Sequence, residues 1–241
     1  MLKDRRTRSR IIIILIVICS LHIFTNVGWL IVDDHRLQDD PMEHLRRCLN
    51  RYDDFHIRDF ICAYPPLPYL LPFPLFALFH PSVDLAVGSF LIFYPILIVS
   101  VYGIGRQLAG NSTALVAALL ATLYPGIFAY SRRFFQVFPL TAILCCSVYL
   151  AILSNQFKHR YNSILLGLTI GVGMLIRWTY LFFFIGPMLL VSIKPLALIV
   201  GWARGTRTIT DKDRDRLRNL FVCLLAAALL ALPWYLASFK S

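Results

Sequence analysis

An acid-rich segment between residues 33 and 64 carries the side chains best suited to chemistry in this sequence. It holds 8 of the chain's 13 acidic residues, namely Asp33, Asp34, Asp39, Asp40, Glu43, Asp53, Asp54 and Asp59. Within it, Asp40 followed by Pro41 is typical of a helix start, with the aspartate at the cap and the proline at the first helical position. We therefore predict that a helix begins here.

One turn of that helix brings His44 to the same side as Asp40. A carboxylate and an imidazole so arranged can share a proton, hold an acceptor hydroxyl or bind a divalent ion. A plain helix cap beside a solvated histidine is the alternative interpretation of the same spacing.

Long apolar stretches must position this segment. Hydrophobic residues make up 58% and aromatic residues 14% of the 241 residues, which is typical of an integral membrane protein and excludes an ordinary soluble domain. We predict an all-α, polytopic membrane protein with a single membrane domain. Its spans are predicted at residues 11–32, 84–104, 114–130, 134–154, 163–176, 178–200 and 220–236. Residues 33–83 form an outer loop with juxtamembrane helices, and residues 201–219 form a cytoplasmic loop.

The apolar stretch at residues 64–80 is predicted to lie at the membrane surface or to re-enter it. Its prolines would remove too many backbone hydrogen bonds from a lipid-exposed span. With this stretch outside, the side of the N-terminus collects 15 basic and 4 acidic residues, and the other side has 9 of each. Cytoplasmic loops are enriched in Lys and Arg, so we place the N-terminus in the cytoplasm and the acid-rich segment outside the plasma membrane. The net charge of +11 then reports orientation and calls for no nucleic acid partner.

Further polar positions, distant in sequence, are predicted to lie at the same outer boundary. They are Arg132 with Arg133, Arg177, and Trp234 with Tyr235. Arginine on the outer side runs against the usual charge distribution and so favours an anionic partner such as a lipid phosphate. Snorkelling to ordinary headgroups is the alternative for the arginines, and an interfacial aromatic belt is the alternative for the Trp-Tyr pair.

Two of the six cysteines, Cys48 and Cys62, lie in the predicted outer loop. An extracytoplasmic position permits a disulfide between them, and no CxxC spacing indicates metal or redox chemistry. Both the bridged and the free state remain open.

The order of these motifs resembles that of the C-type glycosyltransferases, which take sugars from polyprenyl phosphates and include protein O-mannosyltransferases and bacterial aminoarabinose transferases. In that family the first span is followed by an acidic pair and a Pro-Pro-Leu-x-Tyr-like element, here Asp39-Asp40 and residues 65–69. A Ser-Arg-rich segment, a Gly-rich span ending in a basic residue and Thr, and a Pro-Trp-Tyr follow, here at residues 131–135, 171–179 and 233–235.

The resemblance implies transfer of a sugar from a polyprenyl-phosphate donor to an extracytoplasmic hydroxyl of a lipid, glycan or protein, with inversion at the anomeric carbon. Asp40, or its neighbour Asp39, is the candidate base, and His44 is its helper or, with Asp40, a ligand of a divalent metal ion. The candidates for the donor phosphate are Arg132, Arg133 and Arg177. The candidates for contact with acceptor or lipid are Tyr69, Trp234 and Tyr235.

Two departures from the family pattern give further expectations. Gln136 stands near the position where members commonly carry an acidic residue. Related enzymes also continue past the Pro-Trp-Tyr, so we expect a truncated or split member with its C-terminal half missing or on a partner chain. A non-catalytic homologue is therefore one alternative. A transporter or flippase is the other, and it predicts polar groups near the midplane, where the first span offers His22 and Asn26.

Overall fold

The structure is a computed structural model, and it describes residues 2–33, 40–53, 64–206 and 208–239. Within these ranges it contains helices and no strand, which confirms the all-α prediction. Asp39 and Cys62, which the sequence analysis singled out, lie outside the described residues.

The chain divides into two compact units. One consists of Met1–Asp59 and Leu67–Ala142, and the other of Phe60–Pro66 and Ile143–Ser241. The α-helices of the described residues are α1 (Leu2–Val32), α2 (Asp40–Asp53), α3 (Leu67–Leu70), α4 (Phe73–Leu78), α5 (Val83–Gly88), α6 (Phe93–Ala109), α7 (Asn111–Leu123), α8 (Pro125–Tyr130), α9 (Val137–Ser154), α10 (Arg160–Ile176), α11 (Tyr180–Ala203) and α12 (Asp211–Ser238). A 3-10 helix (Ser89–Ile92) joins α5 to α6.

Several of these helices are long and apolar enough to cross a membrane. In the described part of the chain five segments qualify: Thr7–Val32, Val83–Ala109, Val137–Ser154, Tyr180–Ala203 and Asp211–Ser238. The apolar helices Asn111–Leu123 and Arg160–Ile176, where the sequence also predicts spans, are shorter. The chain is therefore a multi-pass integral membrane protein, with a span count close to the predicted one.

Prolines set two breaks in the helices. The proline-rich stretch forms only the short helices α3 and α4, as expected where proline removes backbone donors. The apolar stretch predicted at residues 114–130 is divided at Tyr124, which has extended backbone angles directly before Pro125. A residue before proline is disfavoured in the helical conformation, so α7 ends there and α8 begins.

In the first unit, α1 packs against the hairpin of α6 and α7. Gly110, with a positive φ of 84°, forms the turn of this hairpin, and Gly105 lies where an added Cβ would approach the Ala114 backbone to 2.9 Å. The buried residues of this contact are Ile18, Ile98, Tyr102, Ala114 and Ala118. This packing holds the first half of α1 against α6 and α7.

In the second unit, α10 packs closely against α12. Gly167 makes this possible, because an added Cβ there would overlap the backbone carbonyl of Cys223. Before α10, residues 155–157 adopt positive φ angles of 49°, 57° and 63°, a conformation that costs energy in residues other than glycine. Arg216 and Asn219 of α12 donate hydrogen bonds to the carbonyls of this turn and so stabilise it.

Candidate functional site

Helix α2 carries the Asp40 and His44 of the sequence prediction and begins at Asp40, as predicted. Its buried residues recur every three to four positions and so form one face: Pro41, His44, Leu45, Cys48 and Arg51. This face packs against α3. The apolar stripe therefore determines which side chains of α2 turn inward.

Tyr69 of α3 is the centre of that contact and is 0% exposed. Its hydroxyl lies 2.6 Å from Nδ1 of His44, and the guanidinium of Arg51 lies 4.4 Å from the centre of its ring. Cys48 donates its thiol to the backbone carbonyl of Tyr69 at 3.4 Å. Burial raises the pKa of the Cys48 thiol to about 12, although Arg51 acts in the opposite direction, so the thiol keeps the proton that it donates.

The two carboxylates in the first turn of α2 differ in their surroundings. Glu43 accepts a hydrogen bond from Nε of Arg47 at 3.0 Å and lies 3.9 Å from Arg46. Asp40 is exposed, and within residues 2–33, 40–53, 64–206 and 208–239 its carboxylate has no ion pair or hydrogen bond. Of these two carboxylates, Asp40 is thus the one open to a ligand.

The described residues do not supply a ligand set for the predicted divalent ion. Nowhere among them do three His, Cys, Asp or Glu side chains gather as a metal ion would require. Asp40 is exposed, whereas His44 is buried and holds Tyr69 through Nδ1. A metal ion held by Asp40 and His44 therefore stays a prediction.

A second cluster surrounds Asn26, which is 0% exposed in α1. Its amide nitrogen donates to the backbone carbonyl of His22 at 2.7 Å and to the hydroxyl of Tyr94 at 3.1 Å. Its amide oxygen lies 3.2 Å from the hydroxyl of Ser131 and 3.3 Å from Nε of Arg132, and both of these groups can donate to it. An asparagine offers two donor hydrogens and two acceptor lone pairs, so Asn26 uses its full capacity.

The guanidinium of Arg132 lies among aromatic rings in this cluster. It is 3.6 Å from the ring centre of Phe128 and 4.4 Å from that of Trp29. The indole of Trp29 donates in turn to the carboxylate of Asp33 at 2.8 Å. Burial lowers the pKa of Arg132, and Tyr94 and Asp33 act against that shift, so the arginine keeps its charge at neutral pH.

The segment at residues 131–136 contributes to the Asn26 cluster and also packs against His44 and Tyr69. Its first part holds Ser131 and Arg132 against Asn26. Its later part places Phe134 6.5 Å from the ring of Tyr69 and Phe135 5.8 Å from that of His44, as measured between ring centres. The first unit thereby brings the α2 helix and Arg132 to one short stretch of chain. Arg133, in the same segment, is exposed.

The remaining predicted residues lie in the second unit. Arg177 directly follows α10 and is half-buried, and its side chain has no partner in the part of the chain that the structure describes. Tyr235 donates its hydroxyl to the carbonyl of Met174 near the end of α10 at 3.0 Å, and Trp234 packs edge-on against it. Tyr235 therefore joins α12 to α10. The convergence of these residues with Arg132 on one face stays a prediction.

Sequence reasoning did not find the partners of the site residues. It predicted neither the hydrogen bond between Asn26 and Arg132 nor the contact of Arg51 with the ring of Tyr69, and it gave Tyr94 no role. One signal was available, because His22 and Asn26 are four positions apart in an apolar helix, and polar residues so placed face a protein interior. The identity of the facing residues required the tertiary structure.

Comparison with known proteins identifies a family that this chain matches. Residues 64–236 match the model of a family described as dolichyl-phosphate-mannose-protein mannosyltransferase, and the match covers more than two thirds of the chain. It includes Tyr69, Arg132 and Arg177, and it begins after Asp40 and His44. A comparison with curated proteins gave no match.

Proposed function

We propose that this chain, which belongs to the dolichyl-phosphate-mannose-protein mannosyltransferase family, transfers a sugar from a polyprenyl-phosphate donor to an extracytoplasmic hydroxyl acceptor. The family makes it a membrane glycosyltransferase of the C type, and its long apolar helices make it a multi-pass membrane protein. The acceptor class, the plasma membrane and the cytoplasmic N-terminus belong to the proposal.

The observation that best supports the proposal is that α2 contacts the segment of residues 131–136, which contains Arg132: the rings of His44 and Phe135 lie 5.8 Å apart. Sugar transfer from a lipid phosphate needs a base on one side of the anomeric carbon and a cation on the other. Asp40 is an exposed carboxylate open to a hydroxyl group, and Arg132 is a fixed cation. These two features are what the reaction requires.

In the proposed reaction the carboxylate of Asp40 accepts the proton of the acceptor hydroxyl. The acceptor oxygen attacks the anomeric carbon, and the bond between that carbon and the phosphate oxygen breaks with inversion. The electron pair leaves with the polyprenyl phosphate, whose added negative charge Arg132 stabilises through hydrogen bonds.

His44 has a supporting role in this proposal. Its ring is buried and lies 2.6 Å from the Tyr69 hydroxyl, so it is held one turn from Asp40 in a fixed orientation. Tyr69 itself is fully buried and acts through His44 rather than by contact with the acceptor. Arg133 and Arg177 are kept as further candidates for the phosphate.

The test is a transfer assay in proteoliposomes that contain the chain, polyprenyl-phosphate mannose and a hydroxyl acceptor. We expect a product with the anomeric configuration opposite to that of the donor, which nuclear magnetic resonance of the product determines. Retention of configuration would contradict the mechanism. Movement of the donor lipid between leaflets without sugar transfer would instead support the transporter alternative.

A further inference from the structure

We propose that Asn26 is a positioning residue for Arg132, which it holds so that the terminal amino groups of the arginine remain available to the phosphate of the donor. The inference rests on the proposed function, because it takes Arg132 as the phosphate ligand. It adds a residue of the first span, which lies before the part of the chain that matches the family.

The complete hydrogen bonding of Asn26 supports this role. Asn26 lies inside an apolar helix, where a polar group without partners is costly because lipid offers none. Its amide nitrogen donates to the His22 carbonyl and to the Tyr94 hydroxyl. Its amide oxygen is therefore the acceptor that faces Ser131 and Arg132. A side chain with every donor and acceptor engaged is held in one orientation.

Tyr94 and Ser131 close a ring of hydrogen bonds around that oxygen. Asn26 donates to the Tyr94 hydroxyl, which donates to the Ser131 hydroxyl at 2.7 Å, and Ser131 lies 3.2 Å from the Asn26 oxygen. The Ser131 proton is shared with the carbonyl of Phe128 at 3.0 Å. Since each bond in such a ring polarises the next, the ring strengthens the acceptor that receives Arg132.

The contacts of Arg132 engage one edge and the plane of its guanidinium. Its Nε is taken by Asn26, and the plane of its guanidinium lies against Phe128 and Trp29. Within residues 2–33, 40–53, 64–206 and 208–239, its terminal nitrogens make no hydrogen bond. Two terminal amino groups in one plane match two oxygens of a phosphate. A lysine lacks the Nε group and the plane, so it cannot be held in this way.

A purely structural role for Asn26, joining α1 to α6, is the competing explanation. The two explanations differ in selectivity. A structural defect weakens binding of any polyprenyl lipid, whereas a displaced guanidinium weakens only binding that depends on a phosphate. Polyprenyl monophosphate and uncharged polyprenol of the same length are therefore the probes.

The experiment measures the dissociation constants of both probes with the full chain in lipid nanodiscs. We expect Arg132→Ala and Asn26→Leu each to weaken polyprenyl monophosphate binding by roughly 10- to 100-fold, the worth of one charge-assisted hydrogen bond. Polyprenol binding should not change. Thr25→Val is the matched control, because Thr25 also donates to the carbonyl of His22 but makes no hydrogen bond to Ser131 or Arg132 in the described part of the chain.

A second variant guards against misfolding of Asn26→Leu. Asn26→Asp keeps an acceptor for Nε but places a negative charge beside the guanidinium of Arg132. We therefore expect weaker monophosphate binding with polyprenol binding retained. In an Arg132→Ala background, neither Asn26 variant should weaken monophosphate binding further, since the two residues act as one unit.

The outcomes separate this inference from the proposed function. Wild-type monophosphate affinity in Arg132→Ala would overturn the phosphate assignment and this inference with it. Loss of affinity in Arg132→Ala with wild-type affinity in folded Asn26→Leu or Asn26→Asp would overturn the positioning role alone. Equal loss for both probes in the Asn26 variants would establish the structural explanation instead.

Discussion

Nδ1 of His44 and the hydroxyl of Tyr69 lie 2.6 Å apart and are buried together between α2 and α3. The same tyrosine ring lies under the guanidinium of Arg51. The Tyr69 hydroxyl therefore helps to orient the histidine that lies one helical turn after Asp40.

Replacing Tyr69 with Phe should reduce transfer while leaving the fold intact. Phenylalanine keeps the ring under Arg51 and removes the partner of Nδ1, and loss of such a buried hydrogen bond costs about 1–3 kcal/mol. We expect kcat to fall by roughly tenfold or more if His44 assists proton transfer. The measurement is kcat against pH, together with thermal unfolding.

Tyr52→Phe is the control for this substitution. Tyr52 is also on α2 and packs edge-on against Phe73 and Phe76, and its hydroxyl has no hydrogen bond in the described part of the chain. It should leave both kcat and the melting temperature unchanged. A Tyr69→Phe protein with the wild-type pH profile would show that the His44 contact is only structural.

Cys48 should resist alkylation in the folded protein. Burial raises the pKa of its thiol to about 12, and only the thiolate reacts, so at pH 8 the thiol is both protonated and enclosed. Asn50→Cys, on the exposed side of the same helix, provides the reactive control. Peptide mapping by mass spectrometry should find label at position 50 before unfolding and at Cys48 only afterwards. Rapid labelling of Cys48 in the folded protein would mean that α2 does not rest on α3.

The packing of α10 against α12 should not tolerate a side chain at Gly167. A Cβ there would overlap the carbonyl of Cys223, and overpacking of this kind typically costs about 1–3 kcal/mol. Gly167→Ala should therefore lower the melting temperature in detergent. Gly186→Ala is the matched control, because an added Cβ at Gly186 meets no atom within 4 Å. Equal melting temperatures for the two variants would contradict the close approach of these helices.

The sequence is more informative about the helices of this protein than about its pairs of contacting residues. Apolar length and the Asp40-Pro41 start predict most helices, because these depend on local composition and backbone chemistry. The helix break at Tyr124 could also be predicted from the sequence, because Pro125 directly follows it.

The contacts of the site depend on residues far apart in the chain. Tyr69 lies 25 positions from His44, and Arg132 lies 106 positions from Asn26. Periodicity indicates that a side chain faces inward, but not which of the many inward-facing residues it meets. For that reason the sequence predicted Arg132 as a cation at the boundary and did not find the asparagine that holds it.

The predicted orientation places α2 outside the cell and the start of α12 inside, because basic residues accumulate on the side of the N-terminus. Cysteines introduced at the exposed positions Asn50 and Lys212 test it with a membrane-impermeant maleimide. In a background without native cysteines, intact cells should label position 50, and permeabilised cells should label both. Labelling of position 212 alone in intact cells would reverse the orientation and put the proposed site on the cytoplasmic face.

The carboxylate of Asp40 should matter more to transfer than the other acidic side chains at this end of α1 and α2. Asp33 accepts a hydrogen bond from the indole of Trp29, and Glu43 is paired with Arg47, whereas Asp40 is exposed and has no partner within the described ranges. Asp40→Asn keeps the size and the capping ability of the side chain and removes its basicity. Loss of a general base lowers the rate by about 10²- to 10⁴-fold, so we expect kcat to fall by that factor while binding of polyprenyl monophosphate is retained. Glu43→Gln, one turn away on the same helix, is the control and should keep at least half of the wild-type rate. If Asp40→Asn transferred sugar at the wild-type rate while Asp33→Asn did not, the base would have to be sought at the end of α1 instead of at the start of α2.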